Sequence, residues 1–390
     1  MGDNQHHQDG TKNVHAGTNH VGESVNTPIF LSSTYKLTEE RYAGWAAGAQ
    51  HTLLYSRISS VNSDAVAQKI CAMEGGEDAE TFASGMAAIS STLMMLLSQG
   101  DHMVASPDVY GGTYGLITEE LPRFGIETTM ADMTDPASYE AAIQPNTKIL
   151  YIETITNPNL KVCDIPAMVE IAKRHNLIVI IDNTFASPWA CKPLSMGVDL
   201  VIHSTTKYLG GHSDLIGGAV VGSKELIAKI FMGRVHFGGS PDPHNCYLLE
   251  RGMRTLHARM PLLTSNAATL AQRLDNHPKV VRVQHVSLPS HSEYDVAQRV
   301  VPKGCGMLGI VVSGGDEGAM DFMAKLKLFY EATSLGGVES LIEVPATSSH
   351  MAVPVDVRIA AGIEPGYVRI SVGIEDVEDL WNDLNQALSQ

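Results

Sequence analysis

Three regimes of hydrophobic patterning divide the chain. Up to about Arg57, apolar residues are sparse and aperiodic among many polar ones. This predicts an extended arm that needs a partner surface to become ordered, a neighbouring subunit being the natural one. From about Ser59 to Glu250, short apolar runs alternate with helical patterns, at Thr81–Leu97, Asp101–Ala105, Lys148–Ile152, Ile165–His175, Leu177–Ile181 and Asp199–His203. Such alternation is the βαβ signature of a doubly wound sheet. From Arg251 onward a long helical stretch, Met253–His277, precedes strand-like runs at Met307–Val312 and Tyr367–Val372 and a final helix from Val377. The pattern therefore predicts an α/β protein with an arm over residues 1–57, a large domain over 58–250 and a smaller C-terminal α/β domain over 251–390. No internal repeat or low-complexity tract interrupts it.

Length and charge narrow the partners. A chain of 390 residues exceeds what one hydrophobic core comfortably serves. With 43 acidic against 27 basic residues, the surface field repels phosphate backbones and anionic bilayers, so neither nucleic acid nor membrane is an expected partner. The five cysteines, Cys71, Cys163, Cys191, Cys246 and Cys305, are scattered and never paired as C-x-x-C, which argues against a disulfide framework and a zinc ribbon and predicts a reducing cytoplasm. The polar stretch Met1–Thr18 predicts no targeting segment, and the apolar runs are too short to span a bilayer.

Candidate chemistry begins with a decoy. Gly304-Cys305-Gly306-Met307-Leu308-Gly309 satisfies G-x-G-x-x-G, but the β-branched run Ile310-Val311-Val312 follows where a helix N-terminus should receive a pyrophosphate. A stronger signal is Asp199–Lys207, an apolar run that ends in Ser204, Thr205, Thr206 and Lys207. Ligand sites in parallel α/β sheets lie at the carboxyl ends of strands. A desolvated lysine there can form a Schiff base with an aldehyde cofactor, and Ser204 and Thr206 can serve that cofactor's phosphate; a solvated surface lysine is the plain alternative. Leu177–Ile181 ends in Asp182, followed by Asn183 and Thr184. Asp182 can cap the next helix, or it can keep a pyridine nitrogen protonated, as pyridoxal 5′-phosphate requires. Ser84-Gly85-Met86 opens an apolar helix whose free amides suit a phosphate. Together these three segments point to pyridoxal 5′-phosphate bound on Lys207.

The chain resembles the Cys/Met-metabolism (transsulfuration) family of pyridoxal-phosphate enzymes, which includes cystathionine γ-synthases, cystathionine γ-lyases, methionine γ-lyases and homoserine sulfhydrylases. The segments that carry the resemblance run along almost the whole chain: Tyr55-Ser56-Arg57, Ser84-Gly85-Met86, Val109–Thr113, Asn157-Pro158-Asn159, Asp182-Asn183-Thr184, Ser204–Tyr208, Ser334–Ser340 and Val368–Gly373. The resemblance implies the fold-type I, aspartate-aminotransferase-like architecture. It implies that Tyr110 stacks on the pyridine ring, that Thr184 joins the cofactor contacts, and that Tyr55 and Arg57 reach the phosphate of the neighbouring subunit. Arg369 is then the fork for the substrate carboxylate, helped by Asn157 and Ser334, with Tyr55 and Glu339 also facing substrate. A homotetramer built from two dimers with shared active sites follows from the same likeness, as do small amino-acid substrates.

The activity so implied is γ-replacement or γ-elimination on an O-activated homoserine or a thioether amino acid. The alternative is methionine γ-lyase or O-acetylhomoserine sulfhydrylase-like substitution with another thiol or a carbon nucleophile. Several departures bear on that choice. Ser59-Ser60-Val61-Asn62 replaces the Gly-Asn-Pro-Thr of many relatives and predicts a reshaped loop. Leu54 stands where cystathionine-cleaving relatives often carry an acid, and Gly115 where many carry an arginine. Gly112 occupies the usual cysteine position of methionine γ-lyases. Glu339 and the stretch from Pro345-Ala346-Thr347 to His350 resemble bacterial γ-synthases and γ-lyases more than sulfhydrylases.

Overall fold

The computed structural model describes residues 7–348, 358–359 and 362–389, so His350 lies outside the described residues. Seven strands form the larger sheet: β1 (Asp78–Phe82), β2 (His102–Ala105), β3 (Glu127–Met130), β4 (Thr147–Glu153), β5 (Ile178–Asp182), β6 (Leu200–Ser204) and β7 (Gly218–Gly222). Their order is β1-β7-β6-β5-β4-β2-β3, and only β7 runs antiparallel to its neighbours. Successive side chains of a strand point to opposite faces, and both faces here are covered. Leu200 and Ile202 pack with Ile89 and Leu93 of the helix Gly85–Leu96, whereas Val201 packs with Ile70 and Met168 on the other side. That two-sided burial is why these strands read as continuous apolar runs.

Local signals set the helix ends. Ser60 forms a capping box with Ser63 at the start of the helix Val61–Glu74, which Gly75 closes in the left-handed conformation. Asp164, followed by Pro166 in the first turn, starts the helix Ile165–His175. The stretch expected as one helix from Met253 to His277 is two, Pro243–Arg254 and Leu256–Asp275. Thr255 makes the break: its backbone N–H and its hydroxyl both donate to the carbonyl of Gly252. The second of these helices joins two cores, with Leu256, Met260 and Leu263 in the core of the large sheet and Ala267, Leu270 and Leu274 in that of the smaller sheet.

The smaller sheet consists of β8 (Val280–Gln284), β9 (Met307–Val312), β10 (Tyr330–Glu331), β11 (Leu341–Glu343) and β12 (Tyr367–Ser371), in the order β10-β11-β12-β9-β8. Gly309, the last glycine of the decoy motif, sits within β9, where a Cβ would come 2.1 Å from the Tyr367 hydroxyl oxygen. Among the described residues no helix is long and apolar enough to cross a membrane.

The N-terminal segment divides. Its first helix, Asp9–His15, packs on the chain's own body, where Lys69 Nζ donates to the carbonyls of Asn13 and Val14 at 3.1 and 3.2 Å. The extended-arm expectation therefore fails for these residues, because a buried lysine supplies the anchor. Beyond it, Val25, Leu31, Leu37 and Tyr42 are exposed.

A buried ion pair ties the end of this segment to the sheet. Arg234 Nη1 lies 2.7 Å from Glu80 Oε1, both side chains being 1% exposed, and Nη2 donates to the carbonyl of Ile58. Removing one partner of such a pair strands the other charge in the interior. Arg234→Ala is expected to destabilise the protein by about 3–5 kcal/mol in chemical denaturation. A loss below about 1 kcal/mol, typical of exposed pairs, would show that the pair does not matter.

Candidate active site

The carboxyl ends of β4, β5 and β6 open on one cavity of about 440 Å³. Parallel registry places Glu153 opposite Asp182, and Asp182 opposite Ile202. Just beyond β6 the chain turns, and Lys207 enters the cavity with Nζ donating to Ser334 Oγ at 2.6 Å. Burial, reinforced by the nearby Arg369 cation, pushes the Lys207 ammonium down to about 8. An amine so desolvated is available as a nucleophile near neutral pH.

Asp182 closes β5 and lines the cavity. Its Oδ1 accepts the Thr184 N–H at 2.9 Å, and burial raises the carboxyl above its ordinary value, against the hydrogen bonds from Thr184. Among the described residues no lysine or arginine pairs with it. A buried carboxylate in that position suits a cationic ring N–H.

The cavity is also lined by the N-terminus of the helix Gly85–Leu96, whose first amides have no partner within the helix. Ser84 caps it by accepting from the Ala87 N–H at 3.0 Å, while Gly85 abuts Ser204, a Cβ there lying 3.0 Å from the Ser204 Cβ. The Thr206 hydroxyl exchanges hydrogen bonds with Gly217, and the Ser204 N–H donates to Thr184 Oγ1 at 2.9 Å. Helix-end amides, an acid and a desolvated amine in one cavity fit pyridoxal 5′-phosphate.

Arg369 forms the third wall. Nη1 donates to Asn157 Oδ1 and Nη2 to the Ser334 carbonyl, both at 2.8 Å, and Nη2 lies 2.7 Å from Glu343 Oε1. Burial lowers the guanidinium's pKa, with Glu343 opposing; arginine stays charged in such a site. Tyr110, half exposed at the rim, has its ring against Gly112.

Of the residues singled out in the sequence, Ser84, Gly85, Met86, Tyr110, Asn157, Asp182, Thr184, Ser204, Thr206, Lys207, Ser334 and Arg369 all line this cavity. Tyr55, Arg57 and Glu339 do not. Arg57 is exposed, lies 5.5 Å from the Tyr55 ring centroid and donates to the carbonyl of Val235. Glu339 accepts from Ser213 Oγ. Two buried acids escaped the sequence reading, Glu153 and Glu343. Glu153 carries the same signal as Asp182, an acid closing an apolar strand, but the apolar run itself stops at Ile152. Glu343 lies beyond the motif Ser334–Ser340 and carried no signal of its own.

The chain matches other proteins along nearly its whole length. The family described as "Cys/Met metabolism PLP-dependent enzyme" matches residues 10–389. A cystathionine gamma-lyase of Bacillus subtilis is 44% identical over 94% of both chains. An L-methionine gamma-lyase of Porphyromonas gingivalis is 40% identical over 97% of this chain and 96% of its own. The crystal structure of a cystathionine gamma-lyase from Lactobacillus plantarum, complexed with L-serine, superposes with a TM-score of 0.92 at 38% identity, covering 98% of this chain and 99% of that one. The fold is the fold-type I architecture that the resemblance implied, and the protein belongs to the Cys/Met-metabolism family of pyridoxal 5′-phosphate-dependent enzymes.

Proposed function

We propose that this enzyme catalyses γ-elimination or γ-replacement on an O-activated homoserine or a thioether amino acid, as cystathionine γ-lyases and γ-synthases do. The observation that carries this reading is the Lys207 amine, 2.6 Å from Ser334 Oγ and in the same cavity as Asp182 and the Arg369 fork. Pyridoxal 5′-phosphate bound there supplies an electron sink for charge developing at Cα and then at Cβ. Lys207 would anchor the cofactor's aldehyde and, once released by substrate, would take the Cα proton, hand it to the cofactor's C4′ and, free again, take a proton from Cβ. Asp182 keeps the ring nitrogen protonated, and Tyr110 covers the ring face. Arg369 grips the α-carboxylate in a bidentate fork, oriented by Asn157 and Ser334. Charge at Cβ lets the γ-substituent leave with its bonding pair. A thiol then adds at Cγ, or water completes the release of a 2-oxo acid and ammonia.

Gly112 favours the cystathionine-type reading over the methionine-type one. A Cβ on Gly112 would lie 2.6 Å from Tyr110 Cε1 and 2.9 Å from Met86 Sδ. The cysteine usual in methionine γ-lyases would thus displace the tyrosine ring here. We further propose a cytoplasmic homotetramer, a dimer of dimers, in which Tyr55 and Arg57 serve the phosphate of the neighbouring subunit and Glu339 lies toward the substrate entrance. The exposure of Tyr55 and Arg57 outside the chain's own cavity supports the shared site, and the five free cysteines support the compartment.

Product profiling with O-acetylhomoserine, cystathionine and methionine, with and without added thiols, tests the activity. Turnover of the first two, lost in Lys207→Ala, is the expected result, and methionine as the only substrate would overturn it. Because only the deprotonated amine captures the aldehyde, cofactor uptake by apoprotein should accelerate with pH and level off above about 8, the value to which Lys207 is lowered. A rise continuing to about 10.5 would mean an ordinary solvated lysine.

Asp182→Ala is expected to slow Cα proton exchange on the order of a hundredfold, since losing a buried ionic partner costs about 3 kcal/mol. Asp182→Glu should retain more activity. Exchange as fast in the alanine variant as in the wild type would remove Asp182 from this role.

Arg57→Ala should weaken cofactor affinity about tenfold or more through a lost charge-assisted phosphate contact. Mixed with Lys207→Ala subunits, it should regain part of the activity, because in a mixed dimer one site carries both defects and the other neither. Mixtures that have exchanged subunits yet stay inactive would refute shared sites.

A further inference from the structure

We infer that Glu74 is a positioning residue that locks the ends of β4, β5 and β6 together from behind the sheet, and so fixes the spacing of Asp182 and Ser204 on the cavity side. This rests on the reading of Asp182 as the partner of the cofactor's ring nitrogen. Glu74 ends the helix Val61–Glu74 and is buried, as are His203, Asn183 and Thr154. Strand alternation turns His203 and Asn183 away from the cavity, since each is the direct chain neighbour of a residue that lines it, Ser204 and Asp182. The helix that carries Glu74 packs on that far side, with Val66, Ile70 and Met73 in one core with Ile181 and Val201. None of these four polar residues takes part in the chemistry proposed above.

One oxygen atom holds the cluster together. Glu74 Oε1 lies 2.6 Å from His203 Nε2 and accepts from Asn183 Nδ2 at 3.0 Å. Asn183 Nδ2 also donates to the Cys191 carbonyl at 3.0 Å, and Asn183 Oδ1 accepts from Thr154 Oγ1 at 2.7 Å. Thr154 follows β4, Asn183 follows β5 and His203 belongs to β6, so three strand ends meet behind the site. The backbone carries the tie to the cavity side: the Thr154 N–H donates to the Asp182 carbonyl at 3.0 Å, and the Asn183 N–H to the Ile202 carbonyl at 2.9 Å. Regular pairing stops at Glu153, Asp182 and Ile202, and the cluster extends the hold by one residue, where the strands would otherwise splay. Glu74 Oε2 has no hydrogen-bond partner among the described residues. What the side chain supplies is therefore one acceptor atom with two lone pairs, which a glutamine carbonyl also offers. A side chain with no such acceptor would strand two buried donors.

The test titrates the apoprotein of each variant, as the whole chain, with pyridoxal 5′-phosphate and follows the visible absorbance of the bound cofactor, with the melting temperature of the apoprotein measured beside it. Glu74→Met, unbranched and of similar length but without the oxygen acceptor, is expected to weaken cofactor binding on the order of tenfold, the worth of one hydrogen bond to a charged partner. Glu74→Gln should rescue binding to within about twofold of wild type, because it keeps the acceptor and changes only the oxygen that has no partner. A methionine variant that binds the cofactor within about twofold of wild type overturns the inference even if it melts lower, since a merely structural residue lowers stability without moving affinity. A glutamine variant as weak as the methionine one overturns it too, because charge rather than the two accepted hydrogen bonds would then decide. Should the methionine variant not fold, Thr154→Val decides, since it removes only the hydroxyl that reaches Asn183: a several-fold loss of affinity upholds the proposal, and unchanged affinity overturns it. An Asp182→Ala variant that binds the cofactor as tightly as wild type defeats the Asp182 reading instead, and this inference with it.

Discussion

Parallel registry among β4, β5 and β6 is the constraint on which the site depends. These strands are apolar on both faces until their last residues, and the registry that pairs Ile181 with Ile152 and Val201 also pairs Glu153 with Asp182. A slip of one residue would turn Asp182 toward the side where Ile181 and Val201 pack and bring an isoleucine into the cavity. The packing of Leu150, Ile152, Ile181 and Val201 on one face, and of Ile149, Tyr151, Ile180 and Ile202 on the other, therefore fixes the acid pair as firmly as any contact the acids make. Hydrophobic burial, which has no direction of its own, acquires direction through the strand period.

The electrostatics of the site follow from that burial. Lys207 and Arg369 share the cavity, and the arginine's charge helps to hold the amine low. Glu343, 2.7 Å from Arg369, cancels part of this field. A substrate carboxylate seated on Arg369 would cancel more of it, so the amine would become more basic when a proton has to be taken from Cα. Binding and base strength are then linked through one guanidinium. Lysine could not take its place, since a single ammonium cannot hold Asn157, the Ser334 carbonyl and Glu343 in one plane while presenting a fork.

Most of this was legible in the sequence because strand-end chemistry leaves a local trace. Asp182 and Lys207 each follow an uninterrupted apolar run, and Ser84 precedes a helix rich in apolar residues. What escaped lacks such a trace or depends on tertiary packing. The strand β7, Gly218–Gly222, begins and ends in glycine, which reads as a turn, yet its first glycine serves close approach: a Cβ at Gly218 would meet the Ser84 carbonyl oxygen. The break at Thr255 depends on a threonine hydroxyl turning back on Gly252, which helical periodicity does not register. The docking of residues 9–15 depends on a lysine more than fifty positions away finding two carbonyls at a helix end.

That docking bears on how the arm works. Residues 9–15 are held by Lys69, and the chain is caught again where Arg234 takes the Ile58 carbonyl and Ser240 that of Arg57 at 3.0 Å. Between these anchors Val25 is 81% exposed and Leu31 79%, with Leu37, Tyr42 and Trp45 also open. A strap fixed at both ends loses less conformational entropy on meeting a partner than a free terminus would. Its apolar side chains gain roughly 25 cal/mol for each Å² they bury. Arg57 sits at the second anchor, close enough to the sheet for its position to be fixed and exposed enough for its guanidinium to leave the Val235 carbonyl for a phosphate of another chain. In the proposed dimer the residues that hold the strap to its own subunit would also aim it, and assembly and cofactor binding would draw on one set of contacts.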